Sequence, residues 1–207
     1  MANGEALLVI DMQVDFMPGG SLPVPGGDEL VPVINRLGSR LDDVILTQDW
    51  HPAGHISFGS AHGLRPFQDT VQAAYGLQSL WPDHTLQGSP GAELHPDLRL
   101  PHAGLIVRKG FRQHVDSYSA FMENDRKTST GLRGYLRDRG LRRLLLCGLA
   151  LDYCVGFSAL DGVAQGFEIG VIVDAVRGID SRSMEAMRQQ WLAAGVSLVH
   201  SDTLLRG

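Results

Sequence analysis

The sequence predicts an α/β fold: a six-stranded, mostly parallel sheet in three layers, with helices on both faces. Two observations predict it. Short continuous apolar runs recur, as in Ala6-Leu7-Leu8-Val9-Ile10 and Leu144-Leu145-Leu146-Cys147. Runs of that length without polar alternation read as strands buried on both faces, the pattern of a parallel sheet. Segments of helical periodicity separate most of these runs. Such alternation implies right-handed crossovers that lay helices on both faces. The 207 residues suit a single domain, 1–207, large enough to bury a full core.

Taken in order, the first strand is 6–10 and ends at Asp11. Gly19, Gly20, Pro23, Pro25, Gly26 and Gly27 then make a rigid loop. Asp28 is placed to cap a helix over 29–39, with Leu30, Val33, Ile34 and Leu37 on one face. The second strand, 44–46, ends near Asp49. Residues 49–101 break the pattern. They are rich in Gly, Pro and His, show little periodicity, and hold five of the eight histidines. So long a stretch inside a compact domain is usually functional. We read it as an excursion that builds a pocket. The third strand, 105–107, ends at Lys109. A polar loop leads to a helix over 131–139, closed by Gly140. The fourth strand, 143–147, passes through Gly148-Leu149-Ala150-Leu151-Asp152 to a helix over 154–165, stopped by Gly166. The fifth strand is 167–173. Ser181 caps a helix to 194, closed by Gly195. A sixth strand, 197–200, and a turn at 203–205 end the chain.

Composition narrows the function. Hydrophobic residues are 43% and charged residues 20%, as in an ordinary soluble globular protein. The formal net charge of -5 gives no electrostatic footprint for nucleic acid. A small neutral substrate or a cation fits better. No apolar run approaches the roughly 20 residues of a membrane span, and the N-terminal residues lack a signal-peptide pattern. Two cysteines argue against a disulfide framework and for a reducing, cytoplasmic compartment. We expect no nucleic-acid or membrane partner; a homo-oligomer is left open.

In open parallel sheets, sites gather at the carboxyl ends of the strands. Asp11, Asp49 and Lys109 end the first three, and the fourth ends just before Cys154. Asp11, Lys109 and Cys154 form a coherent set. A thiol needs a proton acceptor, and an ammonium stabilises the thiolate. A helix N-terminus at Cys154 adds to this, and backbone N–H groups of the turn 150–154 can form an oxyanion hole. Each residue alone also fits a plainer role: a turn carboxylate, a solvated lysine, a packed thiol. Cys147, inside a strand, belongs to the core.

Asp49 and His51 form a second set with His84. Residues i and i+2 of an extended segment point the same way, so both can face one cation. Two histidines and a carboxylate suit zinc, iron or manganese. Asp-x-His also arises by chance, and a histidine beside proline also packs a loop. His55 is a further candidate ligand. Phe16, Trp50, Phe58, Trp81 and Tyr118 lie on loops near the strand ends, where they can sandwich a flat ring or staple the loops to the core.

These segments resemble a known family. Val9-Ile10-Asp11-Met12-Gln13-Val14-Asp15-Phe16, followed by Pro18-Gly19-Gly20-Ser21-Leu22, resembles the opening of bacterial nicotinamidases of the isochorismatase-like hydrolase superfamily. Thr47-Gln48-Asp49-Trp50-His51-Pro52-Ala53-Gly54-His55 is similar to their metal-loop motif, and Trp81-Pro82-Asp83-His84 to the segment with their last metal histidine. Arg108-Lys109-Gly110 and Asp116-Ser117-Tyr118-Ser119-Ala120-Phe121 match their lysine segment, and Gly148–Val155 their nucleophile turn. The resemblance runs in order over nearly the whole chain. It implies an isochorismatase-like fold and Cys154 as nucleophile, Asp11 as proton acceptor and Lys109 as supporting cation. It implies Ala150 and Cys154 N–H groups as the oxyanion hole, with a cis peptide between Leu149 and Ala150. It also implies one divalent metal, zinc before iron or manganese, on Asp49, His51 and His84, with Phe16, Trp81 and Tyr118 around the substrate ring. The implied activity is hydrolysis of nicotinamide to nicotinate and ammonia through a cysteine thioester, in NAD salvage, with pyrazinamide also accepted. The alternative is another hydrolase of the superfamily, of the carbamoyl amidase or isochorismatase type, which would not need the metal set. Leu151 departs from the pattern, which has Thr there; Thr85 stands where Cys is common.

Overall fold

The computed structural model describes residues 4–206. Its centre is a six-stranded sheet of β1 (Glu5–Ile10), β2 (Val44–Asp49), β5 (Leu105–Lys109), β6 (Arg143–Gly148), β7 (Glu168–Val176) and β8 (Ser197–Val199). The order is β5-β2-β1-β6-β7-β8. Every pairing in it is parallel, so the sheet is fully rather than mostly parallel.

Successive strand side chains point to opposite faces, and β1 shows the consequence. Leu7 and Val9 join one core, with Ile34 and Leu37 of α1 (Val31–Gly38); Leu204 and Leu205 of α5 (Ser201–Leu205) pack against its edge. Leu8 and Ile10 join the other. Leu136 of α2 (Leu132–Asp138), Ala159 of α3 (Gly156–Ala164) and Trp191 of α4 (Ser181–Ala194) belong to it too. Each face needs its own helical cover, which is why the central strand is apolar at every position from Ala6 to Ile10.

Most element ends shift by one to a few residues from the sequence reading, and three differences have a physical reason. Asp28 does not cap α1. It opens a 3-10 turn, Asp28–Leu30, that runs into the helix with no side-chain cap. Asp180, not Ser181, caps α4: its carboxylate accepts from the Arg182 and Ser183 N–H groups, both at 3.0 Å. Removing such a cap costs about 1 kcal/mol. Asp180→Ala is therefore expected to lower the melting temperature by about 2–4 °C, which calorimetry can read. Finally, the chain after β6 enters a π-helical turn, Leu151–Val155, before α3 begins at Gly156.

The excursion after β2 holds a 3-10 turn, Gly59–His62, an antiparallel hairpin of β3 (Thr70–Ala73) and β4 (Gly76–Ser79), and a second 3-10 turn, Pro90–Ala92. Isolated bridges at His51/Leu86 and Phe58/Trp81 tie it together at the carboxyl end of the sheet.

Candidate active site

Register places the groups. Asp49 ends β2 directly beside Lys109, which ends the neighbouring β5. Asp11 follows β1, and Gly148 ends β6 beside Ile10. Gly148 has φ +107, and a Cβ there would collide with the Ile10 backbone, so only glycine fits. The Leu149–Ala150 peptide is cis. The π-helical turn then brings Cys154 inward; Val155 N–H reaches back to the Ala150 carbonyl at 3.1 Å.

Lys109 is the hub. Its fully buried Nζ lies 2.8 Å from Asp11 Oδ2 and 3.3 Å from Cys154 Sγ, pairs with Asp49 Oδ1, and donates to the Ser117 carbonyl at 3.1 Å. Asp11 is held by its neighbour strand. Thr47 Oγ1 donates to Asp11 Oδ1 at 2.6 Å and accepts from the Asp11 N–H at 3.1 Å. Ligand atoms of Asp11, Asp49 and Cys154 all lie within 4.8 Å of one another.

Charges in this cluster shift one another. Burial raises the Asp11 carboxyl and outweighs the pull of Lys109. Burial also pushes the Cys154 thiol well above its ordinary value, with Lys109 opposing. Burial thus opposes ionisation of the thiol, where a helix N-terminus favours it. Burial would depress the Lys109 ammonium, but Asp11 and then Asp49 hold it well above the usual lysine range. Cys147 is a buried strand residue, as the sequence suggests, and burial raises its thiol too.

The second set also assembles. Asp49 Oδ2 lies 3.6 Å from His51 Nε2 and 3.9 Å from His84 Nε2. His51 Nδ1 is 2.8 Å from the Gly110 carbonyl, and His84 Nδ1 is 2.7 Å from the Pro82 carbonyl. A carbonyl only accepts, so both Nδ1 atoms carry a proton, which leaves the two Nε2 atoms, both directed at Asp49, as the donors available to a cation. Gly110 has φ +65, and a Cβ there would strike the His51 ring. Burial, then the neighbouring His51, pushes His84 down to about 4. A neutral His84 keeps its lone pair for a cation. Asp11 and Asp49 both pair with the buried Lys109 ammonium, and Asp49 keeps its second oxygen toward the two histidines. Geometry and donor type fit a divalent ion on Asp49, His51 and His84.

Supports hold both sets. Gln13 brackets Asp49: its Oε1 accepts from the Asp49 N–H and its Nε2 donates to the Asp49 carbonyl, each at 2.8 Å. Asp15 Oδ2 accepts from the Thr85 N–H at 2.6 Å, tying the Phe16 turn to the His84 segment. His55 lies outside the Asp49 group. Its ring stacks on His51 at 4.2 Å, and its nitrogens approach Ser57 Oγ at 2.7 Å and the Val115 carbonyl at 3.3 Å.

Above these groups is a half-open cavity. Phe16, Trp81, Tyr118, Ala150 and Cys154 line it, together with Asp49, His51 and His84. Two expected aromatics do not. Phe58 is fully buried among the His51, His55 and His84 rings, and Trp50 lies under the Arg108 guanidinium at 3.8 Å. Five wall residues escaped the sequence reading: Leu22, Val24, Asp116, Tyr153 and Ile179. Tyr153 and Asp116 sit in motifs already singled out. Ile179 follows β7 and carries no local signal; Asp152 brings it in by accepting the Ile179 N–H at 3.0 Å.

The isochorismatase domain model matches residues 5–200. The chain belongs to the isochorismatase family. It is 51% identical over 206 residues to the nicotinamidase of Acinetobacter baylyi, covering 99% of this chain and 96% of that one. The structure of an Acinetobacter baumanii nicotinamidase/pyrazinamidase superposes with a TM-score of 0.96 at 49% identity, over 99% of this chain and all of that one. The pyrazinamidase of Pyrococcus horikoshii in complex with zinc gives a TM-score of 0.80 at 35% identity, over 95% and 99% of the two chains.

Proposed function

We propose that this protein is an amidohydrolase converting nicotinamide to nicotinate and ammonia, a step of NAD salvage, and that it also accepts pyrazinamide. The observation that carries the reading is the junction at Lys109. One buried ammonium touches Asp11, Cys154 and Asp49, so a nucleophilic set and a cation-binding set share a single cavity floor. A carbamoyl amidase or isochorismatase reading leaves the Asp49, His51 and His84 donors without a purpose. The full-length likeness to the Acinetobacter enzymes points the same way.

Asp49, His51 and His84 would hold one divalent ion, and the zinc-bound pyrazinamidase favours zinc. When bound, that ion supplies a positive pole for the lone pair of an azine ring. Phe16, Trp81 and Tyr118 enclose the ring. The carboxamide carbon then faces Cys154. Asp11 takes the thiol proton as sulfur attacks, with Lys109 stabilising the developing anion. The oxyanion rests on the Ala150 and Cys154 N–H groups. The tetrahedral species collapses with breakage of the C–N bond, and Asp11 returns its proton to the leaving ammonia. A thioester remains. Asp11 then draws a proton from water, whose oxygen attacks the thioester carbonyl. The C–S bond then breaks, Asp11 returns its proton to the departing sulfur, and nicotinate leaves with the thiol restored.

Two free cysteines fit a reducing compartment, and we place the reaction in the cytoplasm. No helix among the described residues is long and apolar enough to cross a membrane. The deciding experiment is ammonia release over a panel of nicotinamide, pyrazinamide, benzamide and N-carbamoyl amino acids. Selective release from the two azine amides is the expected result. Release from the carbamoyl compounds alone would overturn the proposal.

A further inference from the structure

A two-stranded hairpin is marginal by itself and is normally pinned by apolar side chains. The β3–β4 hairpin departs from this. Leu77 points outward, 73% exposed, while the next residue, Gln78, is the deeply buried one at 1%. An apolar residue would be cheaper to bury, since a buried amide costs stability unless its hydrogen bonds are met. Gln78 meets all of them. Its Nε2 donates to the Ser79 carbonyl and to Asp116 Oδ2, both at 2.8 Å, and approaches the Tyr118 hydroxyl at 3.1 Å. Its Oε1 accepts from the Tyr75 hydroxyl at 2.9 Å and from Asn124 Nδ2 at 3.3 Å. A carboxylate only accepts, so Asp116 fixes which end of the amide is which.

The partners of this amide form one wall of the cavity. Asp116 and Tyr118 both line it. Trp81, three residues beyond Gln78, donates its indole N–H to the same Tyr118 hydroxyl at 3.3 Å. Asn124 also holds the backbone of Tyr118, accepting its N–H at 3.1 Å. The edges of Trp81 and Tyr118 both rest on Tyr153, at 4.8 Å and 5.4 Å between centroids. The amide touches neither Cys154 nor the ligand set Asp49, His51 and His84.

We propose that Gln78 is a positioning residue for the ring site, holding Tyr118 and, through it, Trp81 in the plane that receives the aromatic ring. The inference rests on the reading of the cavity as a nicotinamide site. Gln78 therefore governs ring binding and leaves the chemistry at sulfur alone.

The test is steady-state ammonia release by Gln78→Met, Tyr118→Phe and the double variant. Gln78→Met is expected to raise KM for nicotinamide about tenfold, the scale of one lost hydrogen-bonded contact, with kcat within about threefold. In the Tyr118→Phe background the same substitution is expected to add less than about twofold, because the hydroxyl it acts through is already gone. Should Gln78→Met not fold, Tyr75→Phe removes a partner of the same amide that does not bond Tyr118, with a KM rise in the same direction expected. A lower melting temperature with KM unchanged, or fully additive effects in the double variant, would overturn the inference while leaving the nicotinamidase reading intact. A wild-type protein that releases no ammonia from nicotinamide would overturn both.

Discussion

Cys154→Ala is expected to abolish ammonia release, by about 10⁴-fold or more, while the protein still folds. The magnitude follows from removing the only atom that can form the thioester; what remains is binding and an oxyanion hole with nothing to stabilise. Folding should survive because the side chain is small, packs as a minor apolar group, and leaves the Lys109 pairs with Asp11 and Asp49 in place. The variant should therefore keep its circular dichroism spectrum and its metal content, and should still bind nicotinate by calorimetry. Ammonia release at the wild-type rate would refute the nucleophile assignment.

His84→Ala should act on a different quantity. It removes one of three donors and leaves Asp49 and His51 with a two-point site. Metal affinity is expected to fall by at least about 100-fold, since even indirect supports of such ligands are worth 10–100-fold. Elemental analysis after dialysis against a weak chelator reads this directly. Nicotinamide affinity should fall with it. Full metal occupancy in the variant would refute His84 as a ligand. The imidazole also packs against Phe58 at 5.6 Å and Phe16 at 5.7 Å. Some loss of stability should therefore accompany the loss of metal, and His84→Gln, which refills much of the volume, separates the two effects.

Much of this protein is legible in the chain because its strongest signals are local. A strand buried on both faces must be apolar over its buried length, so β1, the start of β2 and β6 announce themselves; β5, at the sheet edge, shows only the short run 105–107. A parallel sheet must gather its chemistry at one edge, so Asp11, Asp49, Lys109 and Cys154 could be grouped before any contact was known. The cap of α4 is one residue ambiguous in the sequence because Asp180 and Ser181 are both good capping types, and only backbone geometry distinguishes them. The π-helical turn had no signal, since a five-residue spacing leaves no apolar periodicity over one turn.

What the sequence alone determined is the parallel α/β core, the strand-end groups and the types of donor present for a cation. These follow from residue type and short-range spacing. Only the tertiary structure decided that Lys109 joins the two sets, that His55 supports His51 instead of facing Asp49, and that Gln78 stands behind Tyr118. The first and the last join residues far apart in the chain, and the second depends on how the loop from His51 to His55 turns back on itself. Residue type says what a side chain can bond to; only folding brings its partner within about 3 Å.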